Sequence, residues 1–207
     1  MESPEVVMHK SIKDMASLYL VAAMVLFLFN LPSAQAKQRY VRTLEKYTIP
    51  DVTLINQDGK TIALKQYLDD TDKIVVLEFI FATCTTICPI LSIGLTNLQK
   101  KLGDEVDGAQ LVSISIDPEH DTPRVMKEYL KRYNAGPGWD FLTGSLEDIN
   151  RTMRAFDAYV SDKMGHRPLV FLHAPKAETW VRIDGLLSGR ELKKEYLLLG
   201  KNKAPAK

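Results

Sequence analysis

The sequence is short of the residues that most readily declare a function. Its 207 residues hold two cysteines and four histidines, too few for a disulfide-stapled scaffold or a four-thiolate zinc site. Neither sign of charge is in excess: 27 Lys+Arg stand against 26 Asp+Glu, a net charge of +1. No field therefore argues for nucleic acid as a partner. Repeats and a second domain are missing too. What is present is 45% hydrophobic and 26% charged residues, a balance that excludes a disordered chain and suffices for one well-packed domain.

Long apolar runs are also scarce. Met15 to Leu31 reads MASLYLVAAMVLFLFNL, close to the lower limit of roughly 17 residues for a membrane-spanning helix. Pro32 and Ala34-Gln35-Ala36 follow, so the segment resembles a secretory signal peptide with an A-x-A cleavage site. We expect cleavage after Ala36, with an uncleaved anchor as the alternative and membrane association only in that case. Either way the domain is expected to be extracytoplasmic, in the periplasm or tethered facing it. Glu2, Glu5 and Asp14 outweigh Lys10 and Lys13, where a signal peptide carries positive charge, so translation is expected to start at Met8. The expected organisation is a leader over 1–36, one domain over 37–200 and a flexible basic tail over 201–207.

Within the domain, two short β-branched runs flank Asp58-Gly59 between Asp51 and Leu64, which predicts an N-terminal β-hairpin. Lys73 to Phe81 (KIVVLEFIF) is nearly continuous in apolar character, as for a central strand covered on both faces. Leu91, Leu95, Leu98 and Leu102 form one stripe of a helix ending near Gly103. Gln110 to Ile116 alternates as a strand, and Thr122-Pro123 opens a helix through Arg132. Ser145 can cap a further helix to Phe156. Leu169–Leu172 and Thr179–Ile183 read as strands, and Ser188-Gly-Arg-Glu191 as the capping box of a last helix. Strands alternating with helices and closing on a hairpin plus helix predict an α/β thioredoxin-like three-layer sandwich with a mixed central sheet.

Cys84 and Cys88 lie between the central strand and the leucine-striped helix. Pro89 is tolerated only in a first helical turn, so the helix must start around Thr85 to Cys88, with Thr85 or Thr86 available as N-cap. Deprotonating an ordinary thiol at pH 7 costs about 2 kcal/mol, while a helix dipole returns only about 0.3–1 kcal/mol. Something further must stabilise the thiolates. A metal ion could take both sulfurs, or a partner disulfide could trap one of them. A helix-like spacing of four brings the Cα atoms to about 6 Å, which permits one bridging ion and equally a disulfide. Polar Thr83, Thr85 and Thr86 around them argue against two inert core cysteines.

Two sulfurs leave a coordination shell incomplete. Of the histidines, His9 departs with the leader, His120 follows Pro118 in a surface turn, and His173 is in phase with Leu169 and Phe171 on a strand. His166, in the loop Met164-Gly-His-Arg-Pro168 ahead of that strand, lies across from the cysteine helix in a thioredoxin-like layout and is the natural third ligand. A Cys2His set with soft thiolates suits Cu(I) and also holds Cu(II), whereas structural zinc wants a fourth protein ligand.

Three segments carry a family resemblance. Phe79-Ile-Phe-Ala-Thr-Cys84-Thr-Thr-Ile-Cys88-Pro89, Ser115-Ile-Asp117-Pro118-Glu-His-Asp121-Thr122-Pro123, and His166 followed by Val170-Phe-Leu172 and Pro175 resemble the SCO/SenC family over about Tyr47 to Gly200. The resemblance implies one copper ion held by Cys84, Cys88 and His166. It also implies a metallochaperone role at the CuA site of cytochrome c oxidase, by copper delivery or disulfide reduction. The partners would then be an oxidase subunit carrying CuA, or another copper acceptor, and a thiol–disulfide reductant. Gly165 departs from the Asp that many members carry before the histidine. Pro168 occupies a place similar to the cis-proline of thioredoxins, and Asp117 would line the site or simply begin a turn. A thiol–disulfide oxidoreductase that uses Cys84 and Cys88 without His166 stays open as the second reading. A thiol peroxidase is a distant third, because Phe81 stands where such enzymes carry proline.

Overall fold

The computed structural model describes residues 40–201; the expected leader, its cleavage site and residues 202–207 of the tail lie outside them. Among the described residues, eight strands form one sheet in the order β1-β8-β7-β4-β5-β6-β2-β3. At its centre β4 (Ile74–Ile80) runs parallel to β5 (Ala109–Ser115), and β5 parallel to β6 (Trp139–Thr143). Every residue of β4 and β5 is buried, as expected of strands that carry helices on both faces. β7 (Leu169–His173) extends the sheet antiparallel to β4, and β8 (Trp180–Gly185) pairs antiparallel to β7. At the other edge β2 (Thr53–Asn56) and β3 (Thr61–Ala63) form the hairpin expected at Asp58-Gly59, with Gly59 at φ 76°, a conformation open to glycine without strain. The α/β, thioredoxin-like class read from the strand–helix rhythm is the observed one.

The two faces of the sheet differ. On one lies α2 (Cys88–Leu102), whose Leu91, Leu95, Leu98 and Leu102 are all buried. It ends at Gly103, φ 54°, as the leucine stripe indicated. Ser92 of α2 bonds both Glu78 of β4 and Tyr129 of α3 (Pro123–Arg132), so α2 and α3 share that face. There α2 also packs on α5 (Gly189–Lys201). The opposite face carries an aromatic cluster in which Phe156, just past α4 (Leu146–Ala155), packs with Tyr47, Phe79, Phe171 and Trp180 at ring separations of 5.0 to 5.7 Å. Successive strand residues point to opposite faces, so Glu78 faces α2 while Phe79 faces α4.

The caps behave as their sequences dictate. Thr122 accepts from Val125 N and Ser145 from Asp148 N. In the Ser188–Glu191 box Ser188 N donates to Glu191 Oε2 and Glu191 N to Ser188 Oγ, the reciprocal pattern of that motif. Three elements escaped the sequence reading: β1 (Tyr40–Glu45), which pairs with β8 along its length, the short helix α1 (Leu64–Asp69), and β6. β1 leaves Val41 and Leu44 exposed, so it offers no one-sided apolar stripe to detect.

Candidate metal centre

Cys88 is the first residue of α2 and is fully buried. It is fixed there because Pro89 takes the next helical position and Leu91 and Leu95, three and seven residues beyond Cys88, commit the helix face to the sheet. Cys84 precedes the helix, in a turn closed by its own N–H to Phe81 O at 3.1 Å. Neither threonine caps α2: Ile87 stands at the N-cap with no side-chain bond. Thr86 instead places its Oγ1 3.6 Å from Cys84 Sγ, so its hydroxyl serves the sulfur and not the helix terminus. Ala82, two residues before Cys84, donates its N–H to both carboxylate oxygens of buried Asp121 at 3.2 Å, and Asp121 is held in turn by Ser115 Oγ at 2.6 Å. The cysteine turn is thereby tied to the end of β5.

His166 arrives from the other side of the cleft. Its loop makes one 3-10 turn at Lys163–Gly165 ahead of β7. The ring's Nε2 lies 3.1 Å from Cys88 Sγ, and its Nδ1 lies 2.8 Å from Lys163 O. A carbonyl only accepts, so the neutral ring carries its proton on Nδ1 and turns the Nε2 lone pair toward the sulfurs. The ligand atoms of Cys84, Cys88 and His166 all lie within 4.8 Å of one another, and among the described residues this is the one such group of potential metal ligands.

The other histidines go elsewhere. His173 pairs with Val75 in the β7–β4 register and so faces the aromatic side of the sheet, away from α2. There it stacks on Trp180 at 4.5 Å and bonds Ala177 O at 2.9 Å. His120 is exposed and bonds Asp117 Oδ1 at 2.9 Å. Asp117 itself is buried at the end of β5 and receives Lys163 Nζ at 2.5 Å. Pro168 directly precedes β7, and its carbonyl accepts from Gly185 N. The peptide before it is trans, as are all those described, so its likeness to the thioredoxin proline ends at position: its backbone is committed to the start of the β7–β8 pairing.

The two thiols are electrostatically unlike. Burial pushes the Cys84 thiol up, but bonds from the Cys88 thiol, from the backbone N–H groups of Cys88 and Thr86, and from the Thr86 hydroxyl together hold it below its ordinary value. At Cys88 burial dominates, donation to Cys84 adds to it, and the thiol is raised far above the ordinary range. Burial also holds the His166 imidazole below its ordinary value, against the bond to Lys163 O. A neutral imidazole, a thiol readily ionised and a second thiol that ionises only with help are a donor set for a soft cation, whose charge supplies that help.

The SCO1/SenC profile matches residues 41–196. The chain belongs to the SCO1/SenC family. A Bacillus subtilis "SCO1 protein homolog" is 32% identical over 148 residues, covering 68% of this chain and 75% of that protein. Among solved structures, BsSco is described as a member of the Sco family of cytochrome c oxidase assembly proteins with a disulfide switch. It superposes with a TM-score of 0.64 at 28% identity, covering 79% of this chain and 99% of that one. An Arabidopsis thaliana ScoI structure with copper bound gives a TM-score of 0.62 at 28% identity, covering 72% and 95%.

Proposed function

We propose that this SCO1/SenC protein is a copper-binding metallochaperone of cytochrome c oxidase assembly that works outside the cytoplasm and delivers its ion to the CuA site. The observation that carries the reading is the convergence of Cys84, Cys88 and His166 within 4.8 Å. Copper is the cargo. The donor chemistry favours Cu(I), and the family's copper-bound Arabidopsis member supports the assignment. Binding expels the protons of both thiols, and the imidazole needs none removed, since its ring proton is already directed at Lys163 O. Three ligands leave room for an incoming donor, so an acceptor's cysteine or histidine enters as one of this chain's ligands leaves, and the ion is never released to water.

The unequal thiols favour a second reading, thiol–disulfide exchange. The Cys84 thiolate would attack a partner disulfide, forming one S–S bond while a partner thiolate leaves. Cys88 would then attack Cys84 Sγ, release the second partner thiol and leave a Cys84–Cys88 disulfide, two electrons having passed to the partner. A thiol reductant would reset the pair.

One experiment separates the two readings. Reduced protein with one equivalent of copper should show thiolate-to-Cu(II) charge-transfer absorption after oxidation of the ion, and His166→Ala should weaken copper binding by about 10²-fold, its share of a three-ligand site. Unchanged affinity in His166→Ala, with reduction of a peptide disulfide intact, would sink the metallochaperone reading and leave the exchange reaction.

A further inference from the structure

The turn that presents His166 is closed mainly upon itself. Met164 N donates to Asp162 Oδ1 at 2.9 Å, Gly165 N to Asp162 O at 2.9 Å, and His166 N to Lys163 O at 3.3 Å. Two ion pairs join this unit to the body of the fold: Arg167, directly after the histidine, bonds Asp184 of β8, and Lys163, on the other side of the ring, reaches the end of β5. The Lys163 ammonium reaches Asp117 Oδ2 at 2.5 Å, and it sits 5.5 Å from the centre of the Phe81 ring, which in turn meets the His166 ring edge-on at 5.3 Å.

Asp117 is a firm anchor. It is buried directly after β5, its N–H donates to Ser115 Oγ, and its carbonyl accepts from the N–H groups of His120 and Asp121. Lys163 therefore acts at both of its ends. Its carbonyl fixes the His166 ring by accepting from Nδ1–H, and its side chain fixes that carbonyl in space by docking on Asp117.

We propose that Asp117 and Lys163 are positioning residues of the metal centre, an ion pair that latches the His166 turn to the end of β5 and keeps the imidazole Nε2 at the two sulfurs. The inference rests on the copper-binding reading and deepens it. Its physical content is effective concentration: a ligand on a short loop counts only for the fraction of time that the loop is docked. With the latch cut, the ring also loses the fixed carbonyl that selects its tautomer. Asp117 has a second partner in His120, but that side chain is 62% exposed and touches the far oxygen; it belongs to the anchor's surroundings and not to the latch.

The test compares Lys163→Met, Asp117→Asn, the double variant, Lys163→Arg and His120→Ala with the wild type. Copper affinity is read by competition with a chromogenic Cu(I) chelator. The tautomer of the His166 ring is read by 15N NMR of the reduced, metal-free protein, a measurement that needs no copper.

We expect Lys163→Met and Asp117→Asn each to weaken copper binding by about 10-fold, within the range for residues that orient a ligand. The double variant should lose no more than either single one, as for two ends of one interaction. Lys163→Arg should restore most of the affinity and His120→Ala should leave it unchanged. In Lys163→Met the ring should shift from the Nδ1–H form to a mixture, while the unfolding midpoint moves by no more than about 4 °C. Where His166→Ala does weaken binding, unchanged copper affinity in both single variants, whatever the ring signals do, overturns the latch. So does a double variant whose losses add. If His166→Ala binds copper as tightly as the wild type, the copper reading itself has failed, and the NMR result still reports on the latch alone.

Discussion

The two sides of the metal centre are held by opposite means. Cys88 is fixed by packing: it is buried at the start of a helix whose leucine stripe is sunk into the sheet. His166 is half-buried on a turn held by hydrogen bonds and by the flanking ion pairs Lys163–Asp117 and Arg167–Asp184. The neighbouring carboxylates mirror this. Under the cysteine helix, Glu78 is fully buried; its Oε1 accepts from Ser92 and Ser113, while its Oε2 finds no partner. Burial, only partly offset by those serines, pushes it up to about 8. Beside the histidine turn, burial also raises Asp117, but Lys163 and then His120 outweigh it and hold its carboxyl below the ordinary range. One side of the site thus rests on a neutral acid and the other on an ionised one. A centre built this way holds its sulfurs by packing and its imidazole by polar contacts that single substitutions can cut.

The largest effect expected from this contrast is at Glu78. Unfolded, the carboxyl ionises above its ordinary value of 4.5, while in the fold it keeps its proton to about 8. Its contribution is therefore complete below 4.5 and is lost as pH rises toward 8. The full span amounts to at most ~5 kcal/mol at 1.36 kcal/mol per unit. Urea unfolding of the metal-free, reduced protein across that interval should show stability falling in the wild type and a flatter profile in Glu78→Gln. Parallel profiles would remove the neutral acid from the comparison.

Next in size is the loss of a sulfur. Cys88→Ser should weaken copper binding by about 10³-fold, more than His166→Ala, because a thiolate is the stronger partner for a soft ion. An imidazole deletion costing as much as the sulfur deletion would mean that both sides are equally preorganised. Leu95→Ala, in the middle of the stripe beneath Cys88, should destabilise the fold by about 3 kcal/mol. Copper affinity of the molecules that remain folded should stay within a few-fold, since Ala82 and Asp121 still hold the cysteine turn.

Much of this was legible in the sequence, for reasons that differ along the chain. The central strand, the leucine stripe, the Ser145 cap and the Ser188 capping box are local patterns, and local physics decides them. Cys84, Cys88 and His166 could be brought together on paper because a strand–cysteine–helix order and a loop ahead of a later strand imply one cleft. The helix cap at Thr85 or Thr86 was misread because a hydroxyl near two sulfurs has another acceptor, and Thr86 faces Cys84. Lys163 had no signal at all. A lysine three residues before a histidine reads as surface charge until the fold sets Asp117 opposite it. β1 was missed because an edge strand is fixed by its pairing with β8 and not by an apolar face of its own.

The smallest effect comes from the ionised side, and its sign is the reverse of the one at Glu78. Asp117 unfolded has an ordinary carboxyl near 3.8, and in the fold it is held lower by Lys163 and His120. Its contribution is present above 3.8 and is lost as pH falls through the lower, folded value. For a pair whose lysine is partly solvated the amount is about 1 kcal/mol or less. Asp117→Asn should therefore lose stability relative to the wild type at pH 6 and converge with it in strong acid, whereas Glu78→Gln should diverge from the wild type toward alkaline pH. Both variants departing from the wild type in the same direction as pH rises from strong acid, instead of Asp117→Asn falling below it and Glu78→Gln rising above it, would mean that the two carboxylates do not differ in charge, and the division of the centre into a packed side and a latched side would lose its electrostatic half.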